Sequence, residues 1–219
     1  MKLSFRKAVE TDIEFIVEGI IEAEKSGSDK LPYTTLFDLS EEDTAKLIRD
    51  ILDEDIEGQE WCLQHFLIAE ADGQQAACLS CWVEGSQGLG SGQLKAQAMA
   101  YFLDKVWNEA ADKLKLLAEM QLPRLKGYVQ LECIYTHKAF RGQGLAGRLI
   151  EFAVSEHQKN DIDFEGCEIQ LLANNSAAVA SYTKCGFLKR RESTCNDIRI
   201  LDLLADGTRI SMVLNRQNG

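Results

Sequence analysis

The 219-residue chain has no run of 18 or more apolar residues, so no segment is built to cross a bilayer as a helix, and no membrane partner is expected. Basic residues are also scarce: 24 Lys and Arg against 35 Asp and Glu leave a net charge of −11. That balance argues against nucleic-acid binding, which needs a basic footprint. It suits a cationic substrate such as an amine, although an acidic surface also serves solubility alone. With three histidines in the chain, no Ser-His-Asp or Cys-His arrangement stands out. No Gly-Lys-Ser/Thr tripeptide is present, which excludes a Walker phosphate loop. The seven cysteines are odd in number and lack the spacing of a secreted scaffold. Reduced, buried thiols in a cytoplasmic protein are expected, and Met1-Lys-Leu-Ser-Phe-Arg reads as a strand rather than a signal peptide. Cys78 and Cys81 have CxxC spacing, but no second pair or histidine pair accompanies them, so no metal is expected.

What the chain does contain is the mixture of a globular protein, 45% hydrophobic and 27% charged, long enough for one good core. One domain over residues 1–219 is the expectation. Leu3 to Val9 reads as a strand, and Thr11 to Glu24 as a helix opened by a capping-box pattern at Thr11-Asp-Ile-Glu14. Ser40 caps a second helix to about Asp53, and the intervening 26–38 reads as a polar loop. Trp61 to Glu70 and Gln75 to Glu84 form a hairpin around Asp72-Gly73. Tyr128 to Thr136, Cys167 to Ala173, Phe187 to Glu192 and Arg209 to Asn215 supply further strands. Between Gly85 and Gln93 the composition is that of a flexible linker. A helical stretch follows, with Met99, Leu103, Val106, Ala110, Leu114 and Leu117 on one stripe, until Pro123 ends it.

The most informative stretch is His137-Lys-Ala-Phe-Arg141-Gly-Gln-Gly144-Leu-Ala146-Gly-Arg-Leu-Ile. Gly142, Gly144 and Gly147 form a turn, after which Leu145, Leu149, Phe152 and Ala153 mark one face of a helix. Such a turn delivers unpaired backbone N–H groups and a helix dipole to one point, which favours an anion. Glycine lets a bulky phosphate approach that backbone. The spacing proposes a pyrophosphate cradle. A second stretch, Asn175-Ser-Ala-Ala178-Val-Ala-Ser-Tyr182-Thr-Lys-Cys-Gly186-Phe187, reads as a short helix capped by Asn175 and ended by Gly186.

The Arg141-x-x-Gly144-x-Ala146 spacing resembles the acyl-CoA loop of the GNAT superfamily of N-acetyltransferases. The second stretch is similar to that superfamily's Asn-x-x-Ala-x-x-x-Tyr-x-Lys-x-Gly-Phe signature at every specified position, in the same order. The resemblance is strongest over residues 128–190. It implies an α/β (α+β) fold, with a central mixed but mostly antiparallel twisted sheet flanked by helices. In this chain residues 85–126 would be a helical insertion. It also implies acetyl transfer from acetyl-CoA, as cosubstrate, to an amine by direct attack in a ternary complex. The loop Arg141, Gly142, Gln143, Gly144, Leu145, Ala146 and Gly147 would hold the pyrophosphate. Backbone groups of Ile134, Tyr135 and Thr136 would pair with the pantetheine arm and polarise the thioester carbonyl, and Asn175 and Ala178 would lie along the CoA arm.

Tyr182 is the candidate general acid, because a phenol with a pKa of ~10 is protonated at neutral pH and can donate to a departing thiolate. An alkyl ammonium also titrates near ~10, so the amine needs a proton acceptor. Glu132 is the leading candidate, on the strand that feeds the loop, acting directly or through water. Strict alternation puts it on one face with Tyr128, Gln130 and Ile134, opposite Leu131, Cys133 and Tyr135. In the resembling polyamine-directed members a Leu-Glu pair is often followed by Asp, where this chain has Cys133. The acceptor could be a small-molecule amine, a lysine or an N-terminal amine. A non-catalytic acetyl-CoA-binding module and an enzyme using another acyl-CoA remain as alternatives, and a homodimer is left open.

Overall fold

The computed structural model describes residues 2–160 and 162–215. In chain order the elements are β1 (Leu3–Lys7), α1 (Ile13–Lys25), α2 (Pro32–Phe37), α3 (Glu41–Asp53), β2 (Phe66–Ala71), β3 (Gln74–Val83), α4 (Ser91–Leu103), α5 (Lys105–Glu109) and α6 (Ala111–Ala118). There follow β4 (Val129–Thr136), α7 (Leu145–Lys159), β5 (Gly166–Leu172), α8 (Ser176–Lys184), β6 (Leu188–Thr194), α9 (Ile200–Leu203) and β7 (Thr208–Asn215). The strands form one seven-stranded sheet in the order β1-β2-β3-β4-β5-β7-β6, antiparallel throughout except for the parallel β4–β5 pair.

Alternation along the strands sends side chains to two cores. One face packs Leu79, Leu131 and Ile169 against Leu145, Leu149 and Ala153 of α7 and Tyr182 of α8. The other packs Ile68, Cys78 and Tyr135 under Ile16 and Ile20 of α1 and Ile48 and Ile51 of α3. Cys78 and Cys81 stand in different cores, so their thiols face away from each other across the sheet.

Several expectations are corrected. The capping box expected of Thr11 and Glu14 does not form: the Asp12 carboxylate instead accepts the backbone N–H of Val9 (2.9 Å), and Glu14 is drawn into a bidentate pair with Arg49. Ser40 does cap α3, accepting from the Asp43 N–H at 3.0 Å. Within the supposed loop 26–38, Pro32 opens α2, whose Tyr33, Leu36 and Phe37 are buried. Strand β2 begins at Phe66 rather than at Trp61, because the Gln59 side chain accepts the Trp61 N–H and holds that segment in a turn. The single apolar stripe after Gly90 becomes α4, α5 and α6. The backbone turns at Asp104 (φ 47°, ψ −112°), a conformation no helix contains, and again at Ala110.

These three helices bridge two regions of one sheet face. Met99, Leu103 and Ala110 join the core under α1 and α3, whereas Leu116 and Met120 pack with Leu172, Ile200 and Leu203 at the far side. Lys113 reaches the Thr35 carbonyl, and Ser193 donates to the Glu119 carbonyl at 3.0 Å.

Candidate active site

The site begins with a defect in β4. Ser80 of β3 pairs with Glu132, but Cys78 pairs with Tyr135, so β4 carries one residue more than β3 across that interval. The extra residue is Cys133, at φ +53°, left-handed backbone that a non-glycine side chain adopts at a cost of about 1–2 kcal/mol. A bulge of this kind inverts the alternation beyond it. Cys133 and Tyr135 therefore lie in the α1-side core and Ile134 packs on the α7 side, the reverse of what strict alternation gives. Glu132 stays on the α1 side, opposite Ser80.

Strand β4 also leaves β5, just before the bulge. Their parallel pairing consists of Val129 with Cys167 and Gln130 with Glu168 and goes no further. The β5-facing edge of β4 from residue 131 onward thus has backbone groups with no strand partner, which a ligand's amides can meet. Glu168 pins the closed end of this cleft. Its fully buried carboxylate accepts from the Leu125 N–H (2.7 Å), Arg191 (2.6 Å) and Ser211. Burial would raise this carboxyl, but these donors together hold it below the ordinary range.

At the open end, β4 runs into the glycine turn and α7. Gly142 and Gly144 have φ of +79° and +71°, and beyond the adjoining residues no described heavy atom lies within 4 Å of where a side chain would start on either. Their lack of a side chain thus serves turn geometry and open space, not packing. Gly144 opens α7 with no side-chain cap, so the amides of Leu145, Ala146 and Gly147 have no helical acceptor. Arg141 is largely exposed beside this turn, donating to the Thr136 carbonyl at 3.2 Å and 3.8 Å from Glu22. The turn thus presents unpaired amides and open space, the conditions that favour an anion. Gly147 differs from the other two: a Cβ there would stand 3.1 Å from Cys185 Sγ, so a side chain would press α7 against α8. Asn175 caps α8, accepting from the Ala178 N–H at 3.2 Å, and its amide donates to Ser26 Oγ at 3.3 Å. That side chain is therefore engaged within the protein.

Tyr182 and Glu132 approach the cleft from opposite faces of the sheet. Tyr182 is buried beside Phe187, and among the described residues no group hydrogen-bonds its hydroxyl. Burial, with the nearby Glu132 charge adding to it, raises its pKa further, so the phenol keeps its proton. Burial pushes the Glu132 carboxyl up to about 7; Glu60 adds to this, while Arg124 and Arg209 pull the other way.

Around Glu132 lies a polar cluster that the sequence did not announce. One guanidinium nitrogen of Arg124 contacts both Glu60 and Glu132 (3.3 Å to the latter), and Arg124 stacks 5.2 Å from the Trp82 ring. Glu60 also pairs with Lys95 of α4. Burial would raise Glu60, but Lys95 and Arg124 outweigh it and keep the carboxylate ionised. No spacing rule links residues 60, 95, 124 and 132. The available signal is charge placed inside otherwise apolar segments, as with Glu168 in Cys167–Ala173.

Residues 63–189 match the family described as acetyltransferase (GNAT) domain. No curated protein matches the sequence. Solved structures with the same fold include an N-acetyltransferase from Staphylococcus aureus Mu50, with TM-score 0.60 and 17% identity over 96% of this chain and 100% of that one. A ribosomal-protein-alanine N-acetyltransferase from Brucella melitensis aligns with TM-score 0.55 and 13% identity over 97% and 99%. The ribosomal-protein-S18-alanine N-acetyltransferase from Escherichia coli gives 0.51 and 15% over 100% and 99%.

Proposed function

The chain belongs to the GNAT acetyltransferase family, and on that footing we propose that it transfers an acetyl group from acetyl-CoA to an amine by direct attack in a ternary complex. The observation that carries this reading is the parting of β4 from β5 after Gln130, just ahead of the Cys133 bulge, with a glycine turn at its mouth and Glu132 and Tyr182 on its two sides. Acetyl-CoA supplies an activated thioester and a thiolate leaving group.

In this reading the turn from Arg141 to Ala146 holds the pyrophosphate through its free amides, with Arg141 adding charge. Backbone groups of residues 134–136 pair with the pantetheine arm, and an N–H of this strand polarises the carbonyl, where charge builds up during attack. Glu132 accepts the proton of the attacking amine. Its elevated pKa brings it closer to the amine's than an ordinary carboxyl's would be. Tyr182 donates its proton to the departing sulfur. Gly147 and Asn175 act indirectly, by seating α8 against α7 and against the end of α1. Residues 85–126 form an inserted cover over the acceptor side. What supports this is that α4 to α6 run from the α1–α3 core to Leu172 and α9 on the face that carries Glu132.

The test is thiol release from acetyl-CoA with a panel of polyamines, aminoglycosides, amino acids and lysine peptides. Turnover with one amine class, reduced in Tyr182→Phe, is expected. Tight acetyl-CoA binding with no turnover against any class would overturn the catalytic reading.

A further inference from the structure

Lys95 is held unlike a tethering surface lysine. Its Nζ lies 3.9 Å from the Trp61 ring centroid and 5.6 Å from that of Tyr33. It donates to the Tyr33 hydroxyl at 3.0 Å, to Glu24 at 3.3 Å and to Glu60. Tyr33 in turn donates to Glu24 at 2.8 Å. Trp61 is fully buried, and among the described residues its indole Nε1 has no hydrogen-bond partner. Two aromatic faces and two carboxylates around one ammonium form a seat for a primary alkylammonium, in which cation–π attraction and charge-assisted hydrogen bonds act together.

The seat adjoins the reaction centre. Glu60 and Glu132 contact the same nitrogen of Arg124, and the bulged Cys133 thiol is close enough to feel the charges of Glu60, Glu24, Lys95 and Glu132. Three carboxylates, Glu24, Glu60 and Glu132, face Lys95 and Arg124 here. Lys95 Nζ already occupies the Trp61 face and the carboxylate oxygens that an ammonium would use. An entering ammonium therefore fits this seat only if Lys95 leaves it. A nitrogen held there stays protonated, because both carboxylates stabilise its charge, so it is not the nitrogen that reacts.

We infer that Glu24, Tyr33, Glu60 and Trp61 form an alkylammonium site filled in cis by Lys95, and that the acceptor carries a second ammonium which takes this seat while its reacting amine lies at Glu132. The inference rests on the acetyl-transfer reading and adds a substrate class to it: a diamine, or a chain bearing two amino groups. The inserted α4 then acts as a competitor for the acceptor, because it supplies Lys95.

Two measurements test it separately from that reading. The first is thermal unfolding of Lys95→Ala and wild type in butylammonium chloride, against sodium chloride at equal ionic strength. A saturable rise in Tm of roughly 5–10 °C at a hundred times the amine's Kd is expected for the variant and not for wild type. Equal responses in the two proteins overturn the seat. If Lys95→Ala does not fold alone, recovery of cooperative melting by butylammonium counts for the seat, and no recovery counts against it. The second measurement is thiol release with 1,5-diaminopentane and 1-aminopentane. Lys95→Gln should lower the KM for the diamine by about tenfold relative to its effect on the monoamine. Equal changes refute the exchange. Rescue by butylammonium with no transfer to any amine would refute acetyl transfer and leave the seat standing.

Discussion

Replacing Glu132 with Gln gives two linked signatures, one in stability and one in rate. The side chain is nearly enclosed at the bulge, and its pKa rises from an ordinary 4.5 to about 7, because burial outweighs the attraction of Arg124. A shift of that size corresponds to about 3 kcal/mol between the two protonation states. The folded protein binds this proton more tightly than the unfolded chain does. The associated stability is therefore complete below about pH 4.5 and is lost as the pH rises through about 7. Glutamine keeps the shape and never ionises, so the variant escapes that loss. The Tm of Glu132→Gln minus that of wild type should thus grow between pH 5 and pH 8. At roughly 2–4 °C per kcal/mol for a chain of this size, the growth is about 5–10 °C. Taking the difference removes the opposite trend of carboxylates held low by partners, such as Glu168 and Asp12, which both proteins share. In thiol-release assays, the wild-type rate should climb through pH 7 as Glu132 becomes able to accept a proton. The variant should lose that inflection and about 10²–10⁴ of the rate. A Tm difference that does not change with pH, or full activity across pH 6 to 9, would refute the assignment of Glu132 as a buried base.

The other outcomes concern the remaining parts of the site. Tyr182→Phe should lower kcat by about 10² with a smaller effect on the KM for acetyl-CoA. Its Tm should stay within a few degrees of wild type, because no described group loses a hydrogen bond; an unaltered rate removes the acid role. Gly144→Glu should abolish acetyl-CoA binding by calorimetry, since it puts bulk and charge into open space at the helix start; unchanged affinity would dismiss the cradle. Gly147→Val should instead act on catalysis. It presses on Cys185 and so shifts α8 with Tyr182, and kcat should fall while acetyl-CoA affinity drops less than in Gly144→Glu. Glu168→Gln should cost about 3–5 kcal/mol in urea unfolding, because it leaves Arg191 without its buried partner, and a change under 1 kcal/mol contradicts the pinning role.

Much of the frame was legible because its signals are local. The glycine turn, the stripe of α7, the Ser40 and Asn175 caps and the positive φ of Gly186 rest on residues a few positions apart, and each appears where spacing puts it. The short α2 escaped notice because its apolar side chains are ordered by the core above them rather than by a repeating pattern. The turn at Asp104, which breaks the long stripe into α4, α5 and α6, shows in the backbone angles and not in the residue types.

The sequence by itself determined that a glycine turn starts α7, and its resemblance to the GNAT superfamily pointed to acyl-CoA chemistry with Tyr182 and Glu132 as candidate site residues. Tertiary structure decided what surrounds them. The bulge at Cys133 follows from pairing with β3, and it alone settles which side of β4 each later residue faces. The seat around Lys95 draws Glu24, Tyr33, Glu60 and Trp61 from separate segments, and Arg124 links it to Glu132. Such a cluster has no period or spacing to read, because burial makes each charge find a partner wherever the folded chain brings one.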